Sequence, residues 1–223
     1  MTQFRVLNRT RQASAEWTER FRTLPVANIS DVMQRLVAGG PNLRPYYTGE
    51  RLCGPAITVK SRPGDNLMVH AALDLAQPGD VIVVDAGGDL TNAIIGELMV
   101  AYAAYKKLGG IVIYGAIRDS AELSAGSFPV FASGVTHRGP YKDGPGEVNA
   151  PIALEGMVIS PGDLICGDPD GVVSVPFDDL ERVHAAAKAK HEAETNQMEA
   201  IHQGRNDRSW VGAQLEKMGC VMA

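Results

Sequence analysis

The sequence predicts an α/β domain organised round a central βαβ unit, with helices flanking it at both ends. Three observations carry this. Asp80-Val-Ile-Val-Val-Asp85 and Ile111-Val-Ile-Tyr114 are short apolar runs punctuated by Gly87-Gly88 and Gly109-Gly110, the pattern of strands buried on both faces. Asn92 to Leu108 between them reads as a helix. Strand, helix and strand within about 35 residues need a crossover, which is right-handed with parallel strands in nearly every case.

The other elements follow in order. Residues 1–24 form a polar arm ending in an amphipathic helix, Ser14 to Leu24, with Trp17, Phe21 and Leu24 on one packing face. A single domain then spans residues 25–203. Its first helix, Asn28 to Leu36, is expected to be capped by Ser30, with Asp31 complementing the dipole, and to end at Gly39-Gly40-Pro41. Arg51 to Lys60 alternates as a strand, Pro63-Gly64-Asp65-Asn66 is a turn, and Leu67 to Ala76 is a helix. Beyond the central unit come a strand at Phe128–Ala132 and a turn-rich connection over 134–149, long enough to be either a surface loop or a lid. Strands are expected at Pro151–Leu154, Met157–Ser160, Asp163–Cys166 and Val172–Pro176. Asp168-Pro-Asp170-Gly171 fits an Asx-type turn better than a calcium loop, whose further ligands are absent. A helix over Phe177–Gln203 and a helical tail over 204–223 complete the chain, the tail's extra apolar residues suiting a neighbouring subunit.

Composition narrows the function classes. At 223 residues and 45% hydrophobic, the chain can bury a substantial core. A net charge of −5 with mixed signs gives no footprint for nucleic acid. Cys53, Cys166 and Cys220 are odd in number and form no CxxC, which suits buried, reduced thiols of a cytoplasmic protein. No apolar signal core and no membrane-length run is present, so the expectation is a soluble, cytoplasmic protein with no membrane partner. His70 lies mid-helix, and like His137, His184, His191 and His202 it has no metal-spaced partner, which argues against a zinc site.

The chemistry concentrates at Gly96 and at Arg118-Asp119, which the crossover should bring to the same carboxyl end of the sheet, where open α/β sheets bind ligands. A helix start offers unpaired N–H groups to a carboxylate. Arg118 offers a planar donor fork, and Asp119 is a hard oxygen ligand for Mg²⁺ or Mn²⁺. Together they describe a site for a small 2-oxo acid. The competing reading is a surface ion pair capping a turn.

Gly96-Glu97-Leu98-Met99, Gly115-Ala-Ile-Arg118-Asp119 with Glu122, and Gly167-Asp168-Pro-Asp170-Gly171-Val-Val-Ser-Val-Pro176 resemble the RraA-like family of class II pyruvate aldolases, over about Val26 to Ala193. The resemblance implies a swivelling β/β/α-type domain and metal-dependent cleavage of a 4-hydroxy-2-oxo diacid to pyruvate and a second 2-oxo acid. Oxaloacetate decarboxylation is implied as a companion activity. Carried over by motif, Asp119 ligates the metal, Arg118 binds the substrate oxygens, and the amides of Gly96, Glu97, Leu98 and Met99 cradle the carboxylate. Glu122 and Asp31 are further candidates, and the general base stays open. A trimer or hexamer, with acidic residues of an adjacent subunit lining the site, is implied too. No lysine lies in the Arg118 loop, and Lys106 and Lys107 fall at the solvated end of the helix, so a metal route is favoured over an imine. Because the family also holds non-enzymatic regulators of ribonuclease E, the alternative is a binding protein without chemistry.

Overall fold

The computed structural model describes residues 4–36 and 39–221. The expected polar arm therefore loses its first three residues from view, and the tail its last two. In chain order the elements are β1 (Arg5–Val6), α1 (Ala15–Arg22), α2 (Val26–Val32), β2 (Arg44–Pro45), β3 (Leu52–Ser61), α3 (Leu67–Leu75), β4 (Val81–Asp85), β5 (Ala93–Ile95), α4 (Glu97–Tyr105), β6 (Gly110–Ile117), α5 (Ser120–Ala125) and β7 (Val130–Val135). They continue with β8 (Gly146–Val148), β9 (Ile152–Leu154), β10 (Met157–Ile159), β11 (Leu164–Asp168), β12 (Gly171–Val175), one 3₁₀ turn (Phe177–Asp179), α6 (Leu180–His202) and α7 (Ser209–Lys217).

The expected crossover is present. β4 and β6 pair in parallel from Val81 with Gly110 to Asp85 with Tyr114. β3 and β7 extend the parallel sheet on either side. Alternation along β4 fills two cores at once: Ile82 and Val84 face α3 and α4, while Val81 and Val83 face the β9–β10 hairpin. A third core joins α1, α2 and α6 to β11 and β12, with Phe21, Ile29, Leu164, Val173 and Val183 inside it. Phe21 and Leu24 thus pack into the body of the fold.

Several expectations need correction. The stretch Asn92 to Leu108 is not one helix, because Ala93, Ile94 and Ile95 form β5 beside β6 and are buried, and the helix starts only at Glu97. Backbone pairing to a neighbouring strand outweighs the local pattern there. β6 runs on to Ile117, so Gly115-Ala-Ile is strand and the turn begins at Arg118. α2 begins at Val26 behind Pro25, not at Ser30. Its first amide, Val26 N–H, donates to Asp168 Oδ2 at 2.9 Å, a cap supplied from 142 residues away. Asp168 Oδ1 accepts the Asp170 amide at 3.0 Å, which makes the expected Asx turn. Cys53 and Cys166 are buried as cross-strand partners, but Cys220 is exposed, because it follows α7, none of whose residues is buried.

Candidate active site

The site is built where β5 and β6 end together. Arg118 N–H donates to the Ile95 carbonyl at 3.0 Å, which locks the residue after β6 beside the residue before Gly96. Asp119 then turns with φ 55° and ψ 39°, in the left-handed region that aspartate enters more readily than most L-residues. That turn brings Asp119 Oδ2 to 2.9 Å from the Glu97 amide and 3.6 Å from Arg118 Nε. The approach leaves no room for a side chain at Gly96. A Cβ there would stand 2.3 Å from Asp119 Oδ2 and 3.0 Å from Arg118 Cγ and Nε.

The four amides of the expected cradle are not equivalent. Glu97 N–H is held by Asp119, and Met99 N–H bonds back to the Gly96 carbonyl at 3.1 Å. Among the described residues, the amides of Gly96 and Leu98 find no acceptor.

Arg118 opens into a pocket of about 210 Å³. Ile94, Ile95, Leu98 and Met99 give it an apolar wall, and Asn66, His70, Pro140 and Lys142 close the other side. Burial, reinforced by the Lys142 charge and opposed by Asp74, pushes the His70 imidazole below its ordinary value, so it favours the neutral form. A wider trough of about 600 Å³ lies elsewhere, but it is open surface between Arg22, Arg51, Glu19 and Glu50.

The sequence-derived candidates divide accordingly. Arg118, Asp119 and Gly96–Met99 are brought together. Glu122 is exposed on the first turn of α5 and among the described residues makes no salt bridge. Asp31 lines no part of the pocket. It sits in the last turn of α2, paired with Arg35 at 2.8 Å and Lys190 at 3.2 Å, and the Lys190 hydrogen bond, above all, holds its carboxyl below the usual range. Lys190 also pairs with Glu194 at 2.9 Å, to which Asn28 Nδ2 donates at 2.6 Å.

Two readings of the lysines change. Lys106 is not free at a solvated helix end: its Nζ caps α3 through the carbonyls of Leu73 at 2.6 Å and Asp74 at 2.9 Å. Lys142, missed along with His70, Asn66 and Pro140, reaches the pocket from the long 134–149 connection. The length of that connection was the one local signal for Pro140 and Lys142.

For a divalent cation, Asp119 offers one half-exposed carboxylate, whose Oδ2 is oriented by the Glu97 amide. Among the described residues no three His, Cys, Asp or Glu gather into a full ligand cage. One carboxylate completed by water and substrate oxygens is the usual arrangement for Mg²⁺, so the donor set fits that ion.

The chain is similar to known proteins over most of its length. Residues 26–174 match the family described as RraA-like, Aldolase/RraA. A protein of Halalkalibacterium halodurans named "Putative 4-hydroxy-4-methyl-2-oxoglutarate aldolase" is 40% identical over 207 residues, covering 93% of this chain and 97% of that one. An uncharacterized protein of Pseudomonas syringae superposes with a TM-score of 0.77 at 27% identity, over 86% of this chain and 95% of that one. The RNA-processing inhibitor RraA from Thermus thermophilis gives a TM-score of 0.63 at 29% identity, over 68% and 92%. With a matched segment of that extent and a relative of that identity, this chain belongs to the RraA-like family.

Proposed function

We propose that this protein is a divalent-metal-dependent aldolase, which cleaves a 4-hydroxy-2-oxo diacid to pyruvate and a second 2-oxo acid. Oxaloacetate decarboxylation accompanies it. The reading rests on one observation: Arg118 and Asp119 are pinned beside the Gly96 and Glu97 backbone at the mouth of a small, half-apolar pocket. The name of the Halalkalibacterium relative supports it.

In this scheme the free amides of Gly96 and Leu98 and the Arg118 guanidinium bind the substrate's carboxylate and 2-oxo oxygens, and Asp119 is the protein's metal ligand. A bound Mg²⁺ or Mn²⁺ supplies Lewis acidity at those oxygens. Cleavage breaks the C3–C4 bond as the 4-hydroxyl proton leaves. The electron pair passes to C3 and the 2-oxo oxygen, and protonation at C3 releases pyruvate. Arg118 stabilises the negative charge that grows on that oxygen, in a pocket walled on one side by Ile94, Ile95 and Met99. Decarboxylation of oxaloacetate uses the same charge development, with carbon dioxide as the leaving group.

The test is incubation with oxaloacetate and with a 4-hydroxy-2-oxo diacid, with Mg²⁺ or Mn²⁺ and with EDTA, followed by assay for pyruvate. Metal-dependent pyruvate from both supports the reading. Because Lys142 stands at the pocket, borohydride is added with pyruvate in a parallel sample. A trapped adduct on Lys142 would replace the metal route by an imine one. The second reading, a regulator that docks a ribonuclease, is favoured by the similarity to the Thermus RNA-processing inhibitor, and it requires that no pyruvate form under any condition.

We also propose a homo-oligomer, trimer or hexamer, for the working enzyme. Leu98, Tyr102 and Tyr105 leave an apolar stripe exposed on α4 next to the pocket.

A further inference from the structure

We propose that Asp65 is a positioning residue for the pocket. It fixes the segment 139–144 as a wall, so that Pro140 and Lys142 face Arg118 before any ligand arrives. The inference rests on the pocket being the active site.

Asp65 is fully buried, yet nothing in the chemistry above uses it. Its Oδ1 accepts the Leu67 amide at 2.9 Å, at the start of α3. Its Oδ2 accepts the amides of Asp143 at 2.7 Å and Gly144 at 2.9 Å, and Arg62 Nη2 at 3.2 Å. One carboxylate therefore joins the helix that carries His70 to the loop that carries Lys142, and these are the two polar sides of the pocket. Backbone bonds reinforce the joint: Tyr141 N–H donates to the Gly64 carbonyl at 2.8 Å, and Asn66 N–H to the Tyr141 carbonyl at 3.0 Å. Asn92 Nδ2 holds the Gly139 carbonyl, and Arg62 lies over the Tyr141 ring, 5.6 Å from its centroid. A segment tied at 139, 141, 143 and 144 is a wall, not a lid. Among its anchors, Asp65 alone takes two consecutive loop amides on one oxygen.

The Arg118–Asp119 pair has separate supports, the Ile95 carbonyl and the Glu97 amide. Loosening the wall should therefore weaken substrate binding while sparing the chemical step. Asp65→Asn keeps the shape but sets an NH₂ group against backbone donors. Hydrogen exchange comes first. The amides of Asp143 and Gly144 are expected to exchange at least about tenfold faster in the variant, with β4 and β6 still protected. Steady-state oxaloacetate turnover follows, with KM raised about tenfold or more and kcat within about threefold. A variant that merely destabilised the fold would lower the amount of active enzyme and leave KM alone. Unchanged exchange at 143–144, or a fall in kcat with KM unmoved, overturns the proposal. Should Asp65→Asn fail to accumulate, Asp65→Ser keeps one acceptor and undergoes the same measurements. If the wild-type protein makes no pyruvate, the aldolase reading fails, and the exchange result alone decides whether Asp65 holds the wall.

Discussion

The Glu97 amide and the Asp119 carboxylate, 22 residues apart, meet at 2.9 Å across the ends of β5 and β6. That bond fixes the helix start and the acidic turn as one unit, and Gly96 is the residue that permits it. Gly96→Ala is therefore expected to displace Asp119 and Arg118 while leaving the sheet intact. Oxaloacetate turnover should fall by about two orders of magnitude or more, with far-UV circular dichroism unchanged. Wild-type turnover in that variant would show that the close approach is not needed for catalysis.

Arg118 and Asp119 should fail in different ways. Removing one preorganised donor from a developing charge is typically worth about 3 kcal/mol, so Arg118→Ala should lower kcat by about two orders of magnitude at any metal concentration. Asp119→Asn keeps an acceptor for the Glu97 amide but removes the ligand's negative charge. Its turnover should rise with added Mn²⁺ and approach a plateau only at much higher metal. Titration of activity against Mn²⁺ separates the two. Identical curves for Asp119→Asn and wild type would remove Asp119 as the metal ligand.

Much of this arrangement was legible in the sequence because its parts are local. Glycine pairs and apolar runs define β4 and β6, and their parallel pairing puts Gly96 and Arg118 at the same carboxyl end of the sheet. What escaped is long-range. β5 reads as helix until β6 is there to pair with it. Ser30 reads as a cap until Asp168 takes the Val26 amide from 142 residues beyond Val26. Lys142 and His70 look unrelated in sequence, and Asp65 brings them to one pocket by binding both segments at once.

Acid should act on that joint. Burial alone would raise the Asp65 carboxyl, but the amides of Leu67, Asp143 and Gly144, with Arg62, outweigh it and hold the group below its ordinary value. Its charged form then contributes stability that is complete above the usual aspartate value of about 3.9 and is lost as pH falls through the depressed one. Arg62 lies 3.2 Å from Asp65 and 3.8 Å from Asp143. Unfolding free energy measured by urea titration between about pH 5 and pH 3 should fall less steeply in Asp65→Asn than in wild type. Parallel slopes would mean that Asp65 is not held ionised by the wall.

The last expectation concerns α4. Leu98, Tyr102 and Tyr105 lie at spacings of four and three residues, on one face, and are 83%, 44% and 82% exposed, while Val100 and Ala103 on the other face are buried. A nine-residue helix apolar on both sides has one side too many for a lone chain. Because Leu98 also lines the pocket, whatever covers the stripe abuts that pocket. Tyr105→Glu places a charge at the end of the stripe remote from Arg118, and as an exposed helix position it should leave the fold unharmed. Light scattering after size exclusion is expected to show an oligomer for wild type and a smaller species for the variant. Turnover of the smaller species should drop although no pocket residue has changed. A wild-type protein that elutes as a monomer would separate the stripe from assembly, and full activity in a dissociated variant would separate assembly from catalysis.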